Sequence, residues 1–291
     1  MSFYITAIAL ALALGALGWG IYLSLKVFNI PDITTDGSYT FGAAISAVHL
    51  SSGGSWLPAI FLALLGGFLA GLLTGIIHTK LKVNALLSGI LVMTAAYSVN
   101  LGLMGKSNIP LIQTRDMFSE LAFLHNPFSN SLLILLLLLC IIGGLLAFLL
   151  KSDLGLAMRA TGNAPEMASS LGIPVKTMKI FGLALANGLT ALSGSIMAQY
   201  QGFADINMGI GIVIFGLGAV MIGESIIRIL GANSIYWKLL GVLAGCMLFR
   251  TVIAFTLASG IDPNWLKAIT AGIVLVFVAI PQLGTKSMAN D

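Results

Sequence analysis

The chain has 291 residues, of which 58% are hydrophobic and only 8% charged, with mean hydropathy +1.03. A soluble domain carries about 25% charged residues, so the composition excludes a water-soluble globular protein and places the chain in a bilayer. The net charge of +4 comes from scattered Lys and Arg, which fits juxtamembrane anchors better than a nucleic-acid surface.

Apolar runs near the roughly 20 residues that a membrane helix needs fall at 3–25, 37–50, 55–77, 84–105, 131–150, 180–200, 208–227, 236–258 and 267–285. The sequence therefore predicts an all-α polytopic membrane protein, one domain over 1–291, with about nine transmembrane helices. The first run is long and has no basic start and no clear small-residue cleavage site, so it reads as a span and not as a signal peptide. The second run is too short to cross as a plain helix. The segment before it, 26–50, holds Pro31, Asp32 and Asp36. Proline breaks a helix interior, and carboxylates do not belong in lipid. A broken helix is expected here, of the kind that lines transport pathways, with a plain turn before a short helix as the alternative.

The third run carries Gly67, Gly71 and Gly75 at four-residue spacing, a ridge for close helix packing. The fourth contains Asn100, and the mixed loop at 106–130 follows it. Between the fifth and sixth runs lies the polar loop Lys151 to Lys179. There Asn163 is placed to N-cap a short helix, with Glu166 three residues on as in a capping box and Pro165 in the first turn. Met167, Ala168 and Leu171 form an apolar stripe. Gly172 supplies a left-handed C-terminal position, and Pro174 stops the helix from resuming. The later runs are rich in glycine, and Asn187 and Arg250 are polar groups inside them. A buried Arg in a span is expected to face a cavity, a partner or an interface.

With the Lys151–Lys179 loop placed inside, ten basic residues (Lys26, Lys80, Lys82, Lys151, Arg159, Lys176, Lys179, Arg228, Lys238, Lys286) fall inside and three (Lys106, Arg115, Lys267) outside. That bias puts the N-terminus outside and the C-terminus in the cytoplasm.

The residues RATGNAPEMASSLGIPVKTMKI, with FNIPDITTDGSYTFGAA before them and GLGAVMIGE after, resemble permease subunits of ATP-binding-cassette importers. The branch is the branched-chain amino acid and ribose type, with a further likeness to an aromatic-amino-acid branch. The resemblance implies that the 151–179 loop carries a coupling helix seated in an ATPase subunit, through Asn163, Pro165, Glu166, Met167, Ala168, Leu171, Gly172 and Ile173. It implies a bacterial inner-membrane protein working as two permease copies, most simply a homodimer, with a cytoplasmic ATP-binding subunit and an extracytoplasmic substrate-binding protein. Amino acids, branched-chain or aromatic, lead sugars and nucleosides as cargo.

Asp32, Asp36, Asn100, Asn187 and Arg250 are the candidates for the pathway. No catalytic residues and no metal site are expected. His49, His78 and His125 are far apart, Gly105-Lys106-Ser107 lacks the first glycine of a P-loop, and Cys140 and Cys246 have no metal-ligating company. ATP and Mg would be bound by the partner subunit and no cofactor by this chain. An ion-coupled secondary transporter is the alternative, with Asp32 and Asp36 as its plausible acids.

Overall fold

The computed structural model describes residues 2–275 apart from 113, 233, 261, 263, 264, 266 and 267. It is a helical bundle. Helices α1 (Ser2–Ala13) and α2 (Gly15–Tyr22) run into a π-helical turn, Leu23–Val27, and α3 (Thr34–Ser51) starts after a non-helical stretch at 28–33. Helices α4 (Trp56–Thr79) and α5 (Ala85–Met104) follow, then strand β1 (Asn108–Pro110), the short α6 (Met117–Glu120) and α7 (Pro127–Lys151). The polar loop is α8 (Asp153–Asn163) and α9 (Pro165–Ser170). Helix α10 (Val175–Gln201), strand β2 (Phe203–Asp205), α11 (Ile212–Ile229) and α12 (Ile235–Ala258) complete the order. The expected last span is helical over 268–275, and the rest of it, with Lys267 and Lys286, lies outside the described residues.

Seven helical stretches among the described residues are long and apolar enough to cross a membrane, where the sequence predicts about nine. The last expected span is only partly described, and α3 is too polar to be counted. Helix α3 nevertheless runs the length of α4. Near its start Thr34 hydrogen-bonds Thr74, at 2.8 Å between their hydroxyls, and near its end Ser46 donates to the Ala59 carbonyl. The two helices therefore lie side by side and antiparallel from Thr74 to Ala59.

Helix α10 is the hub, packed against α2, α3 and α4. The glycine ridge of α4 explains the tightest of these contacts. A Cβ built at Gly67 would meet the Asn187 carbonyl at 2.4 Å, one at Gly71 the Leu183 carbonyl at 2.2 Å, and one at Gly75 the Ile180 Cα at 2.7 Å. The two backbones can touch only because those side chains are missing. On the other side of α10, a Cβ at Gly42 of α3 would lie 1.9 Å from the Ala191 carbonyl.

These pairings sort the charges. Helix α10 begins beside the end of α4, so Lys80 and Lys82 lie near Lys176 and Lys179. Lys26 pairs with Glu224 near the end of α11, and Lys151 lies 3.7 Å over the ring of Tyr236 at the start of α12. Together with Arg159, Arg228 and Lys238, nine of the twelve described Lys and Arg gather at the end of the bundle holding the polar loop. The far end has Lys106 and Arg115. It is closed by an antiparallel pairing of β1 with β2, Ile109 opposite Ala204, over a small apolar cluster that includes Leu50, Ile109 and Ala198.

Candidate functional site

The residues singled out in the sequence fall in two places: the polar cluster where α3 begins, and the loop of α8 and α9.

The chain leaves the helix after the π-helical turn because Asn29 takes a left-handed φ of 54° and Pro31 holds the backbone extended. Helix α3 restarts at Thr34, three residues before the apolar run begins. Asp32, only 5% exposed, turns inward. Its Oδ1 accepts the Thr34 N–H at 2.9 Å and its Oδ2 accepts from Asn187 Nδ2 at 2.6 Å. Asn187 also donates to the Leu183 carbonyl and accepts from the Ser38 hydroxyl at 2.7 Å. All of these donors are neutral, and among the described residues no cation lies within ion-pair distance of Asp32.

Asp36 does something else. It lies in the first turn of α3, yet its carboxylate accepts from the backbone N–H groups of Gly211 and Val213, at 2.8 and 2.9 Å. It thus caps α11 from outside that helix, satisfying N–H groups that have no partner within it and meeting its positive end. Asn100 of α5 donates to the Gly37 carbonyl at 3.4 Å, while its own Oδ1 is buried without a partner. Arg250 lines a cavity of about 160 Å³ beside Gly211, Phe215 and Ile253, within electrostatic reach of Tyr39.

The five candidates thus converge on the start of α3: Asp32 with Asn187, Asn100 on Gly37, and Asp36 beside the Gly211 that Arg250 faces. Asp32, Asn100 and Asn187 are buried and bonded inside the bundle. Ser38, Thr34 and Thr74 belong to the same network, and sequence reading missed them because single hydroxyls in apolar helices carry no spacing signal.

The loop differs from expectation at one end and matches it at the other. Asn163 does not cap the short helix. It is the last residue of α8, while Ala164 stands at the N-cap of α9 without a side-chain bond. The N-x-x-E pattern fits a capping box, but α8 continues through Asn163 because Gly162 is needed as helix. Its carbonyl accepts from Asn29 Nδ2 at 3.0 Å, and a Cβ there would lie 1.8 Å from the Val27 carbonyl. At the other end, Gly172 takes φ +81°. The Gly172 N–H bonds to the Ser169 carbonyl and the Ile173 N–H to the Ala168 carbonyl, both at 3.0 Å, the double closure of a Schellman motif.

Pro165 is in the first turn of α9, and Glu166 stands exposed. Of the apolar stripe, only Ala168 is buried. Met167 is 65% exposed and Leu171 71%. Ile173 is half-buried and lines, with Pro165, Glu166 and Lys176, a shallow groove of about 770 Å³.

No cluster of three His, Cys, Asp or Glu side chains among the described residues could hold a metal ion. Ser193 and Ser195, which lack the G-x-S-x-G context of a nucleophile, are spent on packing: Ser193 donates to the Ala13 carbonyl at 2.7 Å and Ser195 pairs with Ser46.

Among curated proteins the chain is 38% identical over 283 residues to a tyrosine transport system permease protein of Clostridioides difficile, covering 97% of this chain and 92% of that one. It is 35% identical to an uncharacterised protein of Rickettsia prowazekii over 94% of this chain and 96% of that one. It is also 25% identical to an autoinducer 2 import system permease protein of Yersinia enterocolitica, covering 96% of this chain and 73% of that one. No solved structure matches it. The family model described as branched-chain amino acid transport system / permease component matches residues 1–279. With a multi-pass apolar bundle beneath it, that match over nearly the whole chain makes this protein a member of that permease family, the membrane-spanning part of an ATP-binding-cassette importer for a small solute.

Proposed function

We propose that this chain is driven by a separate ATP-binding subunit that grips α9, and that it imports an amino acid. The observation that carries the reading is α9 itself. A six-residue helix is too short to be stable alone, and this one is fixed by Pro165 and the Gly172 closure while it presents Met167 and Leu171 to solvent. Apolar side chains outside the spans, held in so defined a shape, are suited to a cleft on another protein. ATP and Mg belong to that partner; this chain supplies the lever.

Two routes lead from the lever. Ile173 and Pro174 pass directly into α10, the hub of the bundle. Helix α8 is tied through Gly162 to Val27 and Asn29, at the start of the break before α3. A push on α9 would therefore reach both sides of the Asp32–Asn187 bond. Asp32, Asp36, Asn100, Asn187 and Arg250 then act as the joint that lets α3 tilt between outward- and inward-facing states.

The clustering of basic residues at the loop end supports a cytoplasmic loop in a bacterial inner membrane, with the N-terminus outside. Helix α5 supports a second permease copy, since Thr94, Tyr97 and Ser98 are exposed near its middle, where a pathway between two copies would be wetter than lipid. A substrate-binding protein would meet the far end, where β1 and β2 close the surface. The tyrosine permease relative favours an aromatic amino acid as cargo over the sugar-like solutes of the wider family.

The test is co-purification with the ATP-binding subunit, followed by uptake of labelled tyrosine in reconstituted vesicles. Gly172→Val forces a β-branched residue into a left-handed position, at a strain cost of about 1–3 kcal/mol. It should abolish ATP-driven uptake while the membrane fold stays intact. Unchanged uptake would remove α9 from the coupling route.

A further inference from the structure

At the loop end, between α2, α11 and α12, lies a cavity of about 410 Å³ whose wall holds Tyr22, Lys26, Glu224, Arg228 and Lys238. Lys26 is salt-bridged to Glu224, and Arg228 reaches the same carboxylate at 3.9 Å. Three cations against one carboxylate leave two positive charges uncompensated. Basic residues that merely anchor a span spread out toward the headgroups. These flank one half-enclosed space from three elements, Lys26 partly buried and Arg228 and Lys238 at its exposed rim, so that a single anion can meet all three.

We propose that this cavity binds a phosphate group and that its occupancy is felt by the coupling loop. Arg228 offers a planar fork and Lys26 and Lys238 point charges, the donor set that phosphate oxygens take. The phosphate is that of an anionic lipid headgroup or of a free phosphate compound, since both reach this end of the bundle.

The link to the loop is structural. Lys26 belongs to the π-helical turn Leu23–Val27, a form of helix frequent at functional sites. The next residue, Val27, presents its carbonyl to Gly162 of α8, and Asn29 bonds the Gly162 carbonyl at 3.0 Å. Tyr22, on the cavity wall, is within electrostatic reach of both Arg159 of α8 and Glu224. An anion that draws Lys26 off Glu224 therefore loads the same turn that holds α8. The role of α8 in coupling rests on the function proposed above, but the site and its effect on α8 do not, because no ATPase subunit is needed to observe them.

The experiment uses the full chain in neutral detergent with two probes at matched ionic strength. One is phosphatidylglycerol against phosphatidylcholine in mixed micelles; the other is glycerol 3-phosphate against sodium chloride. At least one anionic probe should raise the melting midpoint by about 3 °C at ten times its dissociation constant. It should also slow amide exchange over 23–29 and 153–163, and the pair Arg228→Gln with Lys238→Gln should remove both effects. Response to the lipid alone assigns a headgroup site, and response to glycerol 3-phosphate assigns a site for a free phosphate compound. If neither probe stabilises the chain, or if the double variant still responds, the site is overturned. Stabilisation without slower exchange in α8 overturns the link to the loop.

Discussion

Asp32 is the residue on which the break in the membrane helix turns. A carboxyl buried in a span region is costly unless its oxygens are satisfied, and here each oxygen has one neutral donor, from Thr34 and from Asn187. Removing it does more than lose two bonds, because one N–H of the Asn187 amide and the Thr34 N–H would be left buried without acceptors, at about 1–3 kcal/mol each. Asp32→Ala should therefore lower the melting midpoint of the purified chain by several degrees, about 2–4 °C per kcal/mol for a chain somewhat smaller than this one. Asp32→Asn keeps the volume and one acceptor oxygen but sets its Nδ2 against a donor, so it should recover only about half of that loss. An unchanged melting midpoint in both variants would mean that these two acceptor bonds do not hold the break. The sequence marked Asp32, Asp36 and Pro31 as misfits for lipid, and each is at the break. It gave no hint of what they hold, since Asn187 is 155 positions from Asp32 and Gly211 is 175 from Asp36.

At the scale of elements, what could be read was what is written in local chemistry. The end of α9 was legible because only glycine suits a φ of +81° and proline follows it at once. Its start was not, since the continuation of α8 through Asn163 depends on Gly162 meeting Val27, a contact across 135 residues. Strands β1 and β2, three residues each, are too short to show any period. The glycine ridge on α4 was legible as a packing face, but the partner was not, and α10 emerges only from the structure. That seam makes a sharp prediction. Gly71→Leu places a branched side chain where the Leu183 carbonyl stands 2.2 Å from a modest Cβ. Backbone cannot yield as a flexible side chain does, so the cost should exceed the 1–3 kcal/mol typical of overpacking. Gly144→Leu on α7, where a Cβ meets open space, should leave the melting midpoint unchanged. If both variants melt alike, the α4–α10 contact is looser than drawn.

For the molecule as a whole, the two ends of the bundle carry different surfaces, and their assignment to the two sides of the membrane can be tested directly. The chain provides a clean background: Cys246 is buried and Cys140 is the exposed thiol, so Cys140→Ala removes the main site of reaction. Ser169 on α9 and Asn108 on β1 are both exposed and lie at opposite ends, which suits each to a single introduced cysteine. The crowding of basic residues at the loop end predicts that Ser169→Cys reacts with an impermeant maleimide only in inside-out vesicles, and Asn108→Cys only in right-side-out ones. The possible results separate two claims. Reversal of both positions would leave the bundle intact but overturn the placement of the loop in the cytoplasm, and with it the grip of an ATPase on α9. Reaction of both from one side would contradict the bundle itself, because α10 alone, 27 residues from Val175 to Gln201, separates the loop from the β1–β2 pair by about 40 Å at 1.5 Å per residue. A helix that long spans a hydrocarbon core of about 30 Å with length to spare, and its two ends cannot share a side.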